Sequence, residues 1–192
     1  MTCYILIVIL FYLIAEDQLQ FRVDQTEMPQ ANSSTGELVS GTEVRQAFTA
    51  DADKLLSLSL LTATYDRTNT ALLNVAVVDK NGVEAGQVTV SSSRLTNGVS
   101  EITFLTPVEI TPRATYELII TSPDGTGGNT IALMYGNSMA LPRGEMPLDI
   151  PAEEQIQVNG VSQEGKLCVR LTTQKTLWIG QIYWHLTIGI GI

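Results

Sequence analysis

Between residues 44 and 173 apolar side chains recur at every second position, and short polar turns interrupt them. This pattern leaves few folds open. A period of two places one face of each segment against a core, and frequent turns keep each segment short. The clearest stretch is residues 55–82, LLSLSLLTATYDRTNTALLNVAVVDKNG. It reads as two apolar strands joined by the polar loop 65–70 and closed by Asp79-Lys80-Asn81-Gly82. In the first strand the alternation sets Leu56, Leu58 and Leu60 on one face and Ser57, Ser59 and Leu61 on the other. In the second, Leu73, Val75 and Val77 alternate with Asn74, Ala76 and Val78. Further strands are predicted over 45–50, 87–91, 99–105, 115–121, 130–135, 156–158 and 166–172. Lys80-Asn81-Gly82, Thr96-Asn97-Gly98 and Ser122-Pro123-Asp124-Gly125 fall between them, and Asn-Gly and Asp-Gly suit the positive dihedrals of tight hairpins. The prolines 107, 112, 142, 147 and 151 are expected between strands, where a missing N–H breaks no ladder. Residues 92–96 could hold one turn of helix. The fold class is all-β, an antiparallel β-sandwich or jelly roll.

Charge narrows the function classes. The net charge is −9, and the 11 basic residues are scattered, which disfavours nucleic acid and an electrostatic anchor on anionic lipid. Two cysteines, Cys3 in an apolar run and Cys168 in a predicted strand, do not suggest a disulfide. A lone strand cysteine without a histidine partner reads as a small buried apolar residue.

The flanks differ from the middle. Residues 3–15, CYILIVILFYLIA, carry no charge, yet are shorter than the roughly 20 residues that cross a hydrocarbon core. No Lys or Arg precedes the run, and Ala15-Glu16-Asp17 is a poor cleavage site for a signal peptide. Residues 1–18 are therefore expected to be a transmembrane or signal-anchor segment, 19–43 a linker, and 44–173 the sandwich. Residues 174–192 read as the entry of a second span, with Trp178, Tyr183 and Trp184 as interfacial aromatics. A closing strand is the rival, since Leu186, Ile188, Ile190 and Ile192 alternate with Thr187, Gly189 and Gly191. His185, the one histidine, has no cluster of acids or cysteines around it.

Sugar recognition needs an aromatic face and fixed donors and acceptors. Tyr65, Asp66, Arg67 and Asn69 supply those types on one loop and are the candidate ligand-binding residues. The bland alternative pairs Arg67 with a carboxylate and turns Asn69 onto the loop backbone. Asp124 and Asn129 could offer oxygens to calcium, although the spacing matches no known loop and a plain hairpin turn competes. Asp51 and Asp53, at a strand end, could contribute to the same site. Glu153 and Glu154 are neighbours on a loop, and no spacing places two carboxylates for glycoside hydrolysis.

Gln46-Ala47-Phe48-Thr49-Ala50, Thr64-Tyr65-Asp66-Arg67-Thr68-Asn69-Thr70, Leu73-Asn74-Val75-Ala76-Val77-Val78-Asp79 and Tyr116-Glu117-Leu118-Ile119-Ile120-Thr121-Ser122-Pro123-Asp124 resemble a galactose-binding-like jelly-roll module. The resemblance covers residues 44–136. It implies an extracytoplasmic insertion in a bacterial multi-pass membrane protein of the glycosyltransferase or polysaccharide-assembly type. The family's glycine after the Arg-x-Asn unit is replaced here by Thr70-Ala71. The expected function is non-catalytic glycan binding beside the membrane, within a host membrane protein. The alternative is a structural or protein-contact spacer with no ligand.

Overall fold

The structure is a computed structural model that describes Tyr4, residues 21–141 and residues 144–176. The membrane segments expected within 1–18 and 177–192 lie outside the described residues, Tyr4 apart, as does His185. Among the described residues no helix is long and apolar enough to cross a membrane.

The fold is an antiparallel β-sandwich. Its strands are β1 (Phe21–Gln25), β2 (Ser33–Glu37), β3 (Glu43–Thr49), β4 (Lys54–Ala63), β5 (Leu72–Asp79), β6 (Glu84–Ser91), β7 (Gly98–Glu109), β8 (Thr115–Thr121) and β9 (Ala132–Gly136). After a small hairpin of β10 (Ser138–Leu141) and β11 (Gly144–Pro147) come β12 (Gln157–Val158), β13 (Val161–Ser162), β14 (Lys166–Leu167) and β15 (Val169–Thr176). One sheet has the order β13-β12-β3-β8-β5-β6. In the other, β4 lies between β7 and a lane occupied by β9 and β15, with β2 beside β9 and β1 beside β15. The chain changes sheet at β2→β3→β4→β5 and again at β6→β7→β8→β9.

The core lies between the sheets. Leu58, Leu60, Ile102 and Leu133 from one sheet meet Val75, Val77, Leu118 and Ile120 from the other. Each such fully buried aliphatic side chain contributes about 1.5–3 kcal/mol through area removed from water. The alternation of β5 is as predicted, with Leu73, Val75 and Val77 buried. In β4 the pattern slips by one. Leu55 is buried where Leu56 was expected, because the register jumps from Leu55↔Val108 to Ser57↔Thr103 on one side and from Thr172↔Ser57 to Thr173↔Leu55 on the other. Leu56 is the extra residue of a bulge, which reverses the facing of everything before it.

Three expectations are corrected. Residues 19–43 are not simply a linker: β1 and β2 lie there, and β1 pairs in register with the end of β15. The sandwich runs past 173, because residues 174–176 belong to β15. Pro107 and Pro147 lie inside strands rather than between them: Pro107 is in β7, within the register jump opposite β4, where its missing N–H costs no ladder bond, and Pro147 is the last residue of β11, opposite Ser138. The single helical turn at Ser92–Arg94 is present as a 3-10 turn, and a second one spans Ala152–Glu154. That second turn carries Glu153 and Glu154, and Glu154 is paired with Lys166.

Candidate functional site

The β4–β5 loop, the β8–β9 loop and the end of β2 converge at the C-terminal end of β4. The loop called for sugar and the loop called for calcium are therefore neighbours. Asn129 Oδ1 accepts from the Thr70 amide (2.8 Å) and hydroxyl (3.0 Å), and Asp124 Oδ1 accepts from the Leu72 amide at 2.7 Å. Both side chains thus brace the next loop. Among the described residues no group of three or more His, Cys, Asp or Glu could hold a metal. Asp51 and Asp53 do not join them. They sit at the opposite end of β4, where Asp53 Oδ2 accepts from the Thr176 amide at 2.6 Å.

Tyr65 and Asp66 form the tip of a turn closed by Arg67 N–H to Thr64 C=O at 3.2 Å. Both have left-handed backbones, φ 57° and 55°. Aspartate tolerates that region; a tyrosine there costs about 1–2 kcal/mol. The ring is held out by this turn and is 45% exposed. The Arg67 guanidinium carbon lies 4.8 Å from its centroid, a cation–π distance. Asp66 Oδ1 accepts from Asn97 Nδ2 at 3.2 Å.

Arg67 has the carboxylate partner that the bland alternative foresaw. Its Nη2 donates to Glu37 Oε1 and to the Thr130 carbonyl (3.3 Å). Asn69 is likewise turned inward, 1% exposed, with Nδ2 donating to Thr64 C=O at 3.1 Å and Oδ1 without a partner among the described residues. Of the four candidates, Tyr65 and Asp66 present themselves outward, while Arg67 and Asn69 hold the loop in shape. Sequence reasoning missed Glu37, Asn97 and Thr130. Glu37 lay in the supposed linker, and only its pairing with a strand distant in sequence brings it under Arg67.

Glu37 also accepts from the Gly128 amide, at 3.1 and 3.2 Å. The Arg67 hydrogen bond, and then this amide, hold its carboxyl below the ordinary glutamate value. A depressed acid stabilises the fold above its unfolded pKa and loses that contribution as pH falls through the folded one. The Gly128 amide resonance is therefore expected to titrate with a midpoint below about 4.3, the usual glutamate value. Glu37→Gln is expected to abolish that titration; a midpoint at or above the usual value would contradict the clasp.

Cys168 is buried at the junction of β14 and β15, where its N–H donates to Met134 C=O and its C=O accepts from Leu61 N–H. Burial pushes its thiol up to about 12, so it is a packing residue and no nucleophile.

No protein-family model and no curated protein matches the chain. Among solved structures it is similar to the cysteine protease and lectin-like domains of Cwp84, a surface layer associated protein of Clostridium difficile. The TM-score is 0.51 at 13% identity, over 81% of this chain and 36% of that one. At this identity the likeness concerns the fold, and the chain spans about a third of that neighbour's length.

Proposed function

We propose that this chain is a non-catalytic jelly-roll module that binds a cell-surface glycan through the loops around Tyr65. It would serve outside the cytoplasm as part of a membrane protein. The winding of the strands supports the jelly roll: β2-β9-β4-β7 faces β3-β8-β5-β6, and the chain alternates between them. The lectin-like part of the fold neighbour's description supports the ligand class. The observation that carries the reading is the backbone of Tyr65. A bulky residue held at φ 57° with its ring projecting is strained, and such strain gathers at recognition sites. The ring would stack on the apolar face of a sugar, with Asp66 accepting from hydroxyls and Arg67 and Glu37 fixing the platform.

The spacer reading draws on a different observation, that Arg67, Asn69, Asp124 and Asn129 all spend polar atoms on the loops themselves. Two substitutions separate the readings. Tyr65→Gly relieves the left-handed strain, so its thermal midpoint is expected to equal or slightly exceed the parent's. Glycan-array and calorimetric binding is expected to weaken about tenfold or more in both Tyr65→Gly and Tyr65→Ala, the value of roughly 1.4 kcal/mol of stacking. The titrations are run with and without calcium, because Asp124 and Asn129 border the loop. No saturable glycan binding by the parent chain would leave the spacer reading in possession.

A further inference from the structure

We infer that the sandwich stands upright on a lipid bilayer, with the Ala50–Asp53, Lys80 and Arg113 end against the headgroups and the Tyr65 loop at the far end. This rests on the membrane reading of the flanks and adds to it an orientation. The first observation is a register. Phe21 pairs with Thr176, so the apolar run 3–15 joins, and the aromatic-apolar stretch 177–192 leaves, at neighbouring positions on adjacent antiparallel strands. Both attachments are on one end of the molecule. If residues 3–15 and 177–192 enter lipid, the domain is a loop whose two attachments, Phe21 and Thr176, are neighbours, rather than a bridge between distant attachments.

The second observation says which end that is. Thr176 N–H donates to Asp53 Oδ2 at 2.6 Å, and Gln174 pairs with Lys54, so the exit lies at the start of β4. The Tyr65 turn follows the other end of the same strand. Ten residues of β4 separate them, about 30 Å at roughly 3.3 Å per residue. The headgroup end is completed by two turns. Asp79-Lys80-Asn81-Gly82 lies there because Asp79 pairs with Tyr116, and the turn at Arg113 because Arg113 N–H donates to Ala50 C=O at 2.7 Å.

The third observation is the charge at that end. Lys80, Arg113 and Lys175 are exposed and in no salt bridge among the described residues. Asp51 and Asp53 share the rim, and Glu109 sits there paired with Lys54. Cations and anions interleaved on one rim suit the phosphate and ammonium of zwitterionic headgroups. They do not make the anionic-lipid anchor that the net charge of −9 disfavours. The far end, by contrast, keeps its Arg67 engaged with Glu37 and offers a tyrosine ring to solvent.

The test uses the full chain reconstituted into phosphatidylcholine vesicles doped with a headgroup nitroxide lipid, a quencher of short range. Cys3→Ser removes the other thiol of the chain, and Cys168 stays because it is buried. A fluorophore is placed at Lys80→Cys or at Thr126→Cys, both exposed turn positions, the second beside the Tyr65 loop. Flotation with the vesicles and several-fold stronger quenching at position 80 than at 126 are expected. Equal quenching at the two positions in a chain that floats overturns the orientation while leaving the membrane reading intact. A chain that does not float overturns the membrane reading and the orientation with it.

Discussion

Gln46→Glu is expected to destabilise the sandwich by about 2–5 kcal/mol near neutral pH, through a single exchange of an amide for a carboxylate. Gln46 is 4% exposed and ties three segments together. Its Nε2 donates to Ala47 C=O (3.0 Å) and Glu154 C=O (2.8 Å), while Oε1 accepts from Leu167 N–H at 2.8 Å. It therefore links β3 of one sheet to β14 of the other and pins the 3-10 turn before β12. A glutamate keeps the acceptor and replaces the donor with a second oxygen, which faces two carbonyls from a side chain only 4% exposed. The variant's folded carboxyl is expected to titrate above its unfolded value of about 4.3. For an acid raised on folding, the penalty is absent below the unfolded value and grows as pH rises through the folded one. Urea midpoints of parent and variant are therefore expected to converge near about pH 4 and to separate near about pH 7. Gln46→Met, which strands the Leu167 amide without adding charge, is expected to lose about 1–3 kcal/mol at both pH values. A loss in Gln46→Glu that ignores pH would refute the bridging geometry.

Gly136→Ala is expected to be comparably severe for a steric reason. A Cβ at Gly136 would lie 1.8 Å from the Gln30 carbonyl oxygen and 2.9 Å from its carbon. The obstacle is backbone and is itself tethered: Gln30 N–H donates to Ser138 C=O at 2.8 Å and Asn32 N–H to Tyr135 C=O at 3.1 Å. One methyl must therefore push the 26–32 segment off β9, or break the Gly136↔Lys166 pairing on the other side. Overpacking typically costs 1–3 kcal/mol, and more where backbone has to move. Gly127→Ala is the control, since its nearest neighbour would be the Glu37 carboxylate at 3.8 Å. It is expected to stay within about 0.5 kcal/mol of the parent by denaturant melting. Equal losses at the two glycines would mean that the close approach at Gly136 is not what requires glycine there.

The order of difficulty in reading this chain follows from what each signal depends on. The alternation at Leu73, Val75 and Val77 is a local signal and appears unchanged in the structure. The phase of Leu55 and Leu56 was not readable, because a bulge is decided by the partner strands, whose registers jump at that point. Strands β1 and β2 were read as linker for the same reason. Arg22-Val23-Asp24 and Ser33-Ser34-Thr35 are mostly polar and bury little, and only the edges of β15 and β9 make strands of them. Gly125 was read as a positive-dihedral turn residue. It is instead a close-approach glycine whose Cβ would meet the Leu38 carbonyl oxygen at 2.3 Å, a contact that no dipeptide pattern encodes. At the candidate site the residue types were legible and their duties were not. A guanidinium looks the same on paper whether it faces a ligand or a glutamate thirty positions upstream.

The lane beside β4 has a bearing on how the protein is made. β9 covers only Thr62 and Ala63, and the stretch from Lys54 to Leu60 waits for β15. A nascent chain emerging from the ribosome has built most of both sheets while its most leucine-rich strand still shows an open edge, a template for intermolecular pairing. Completion depends on β15 threading into that slot and then receiving β1 on its outer side. A premature stop upstream of Val169 therefore leaves a sticky, unfinished product, however intact the Tyr65 loop it carries.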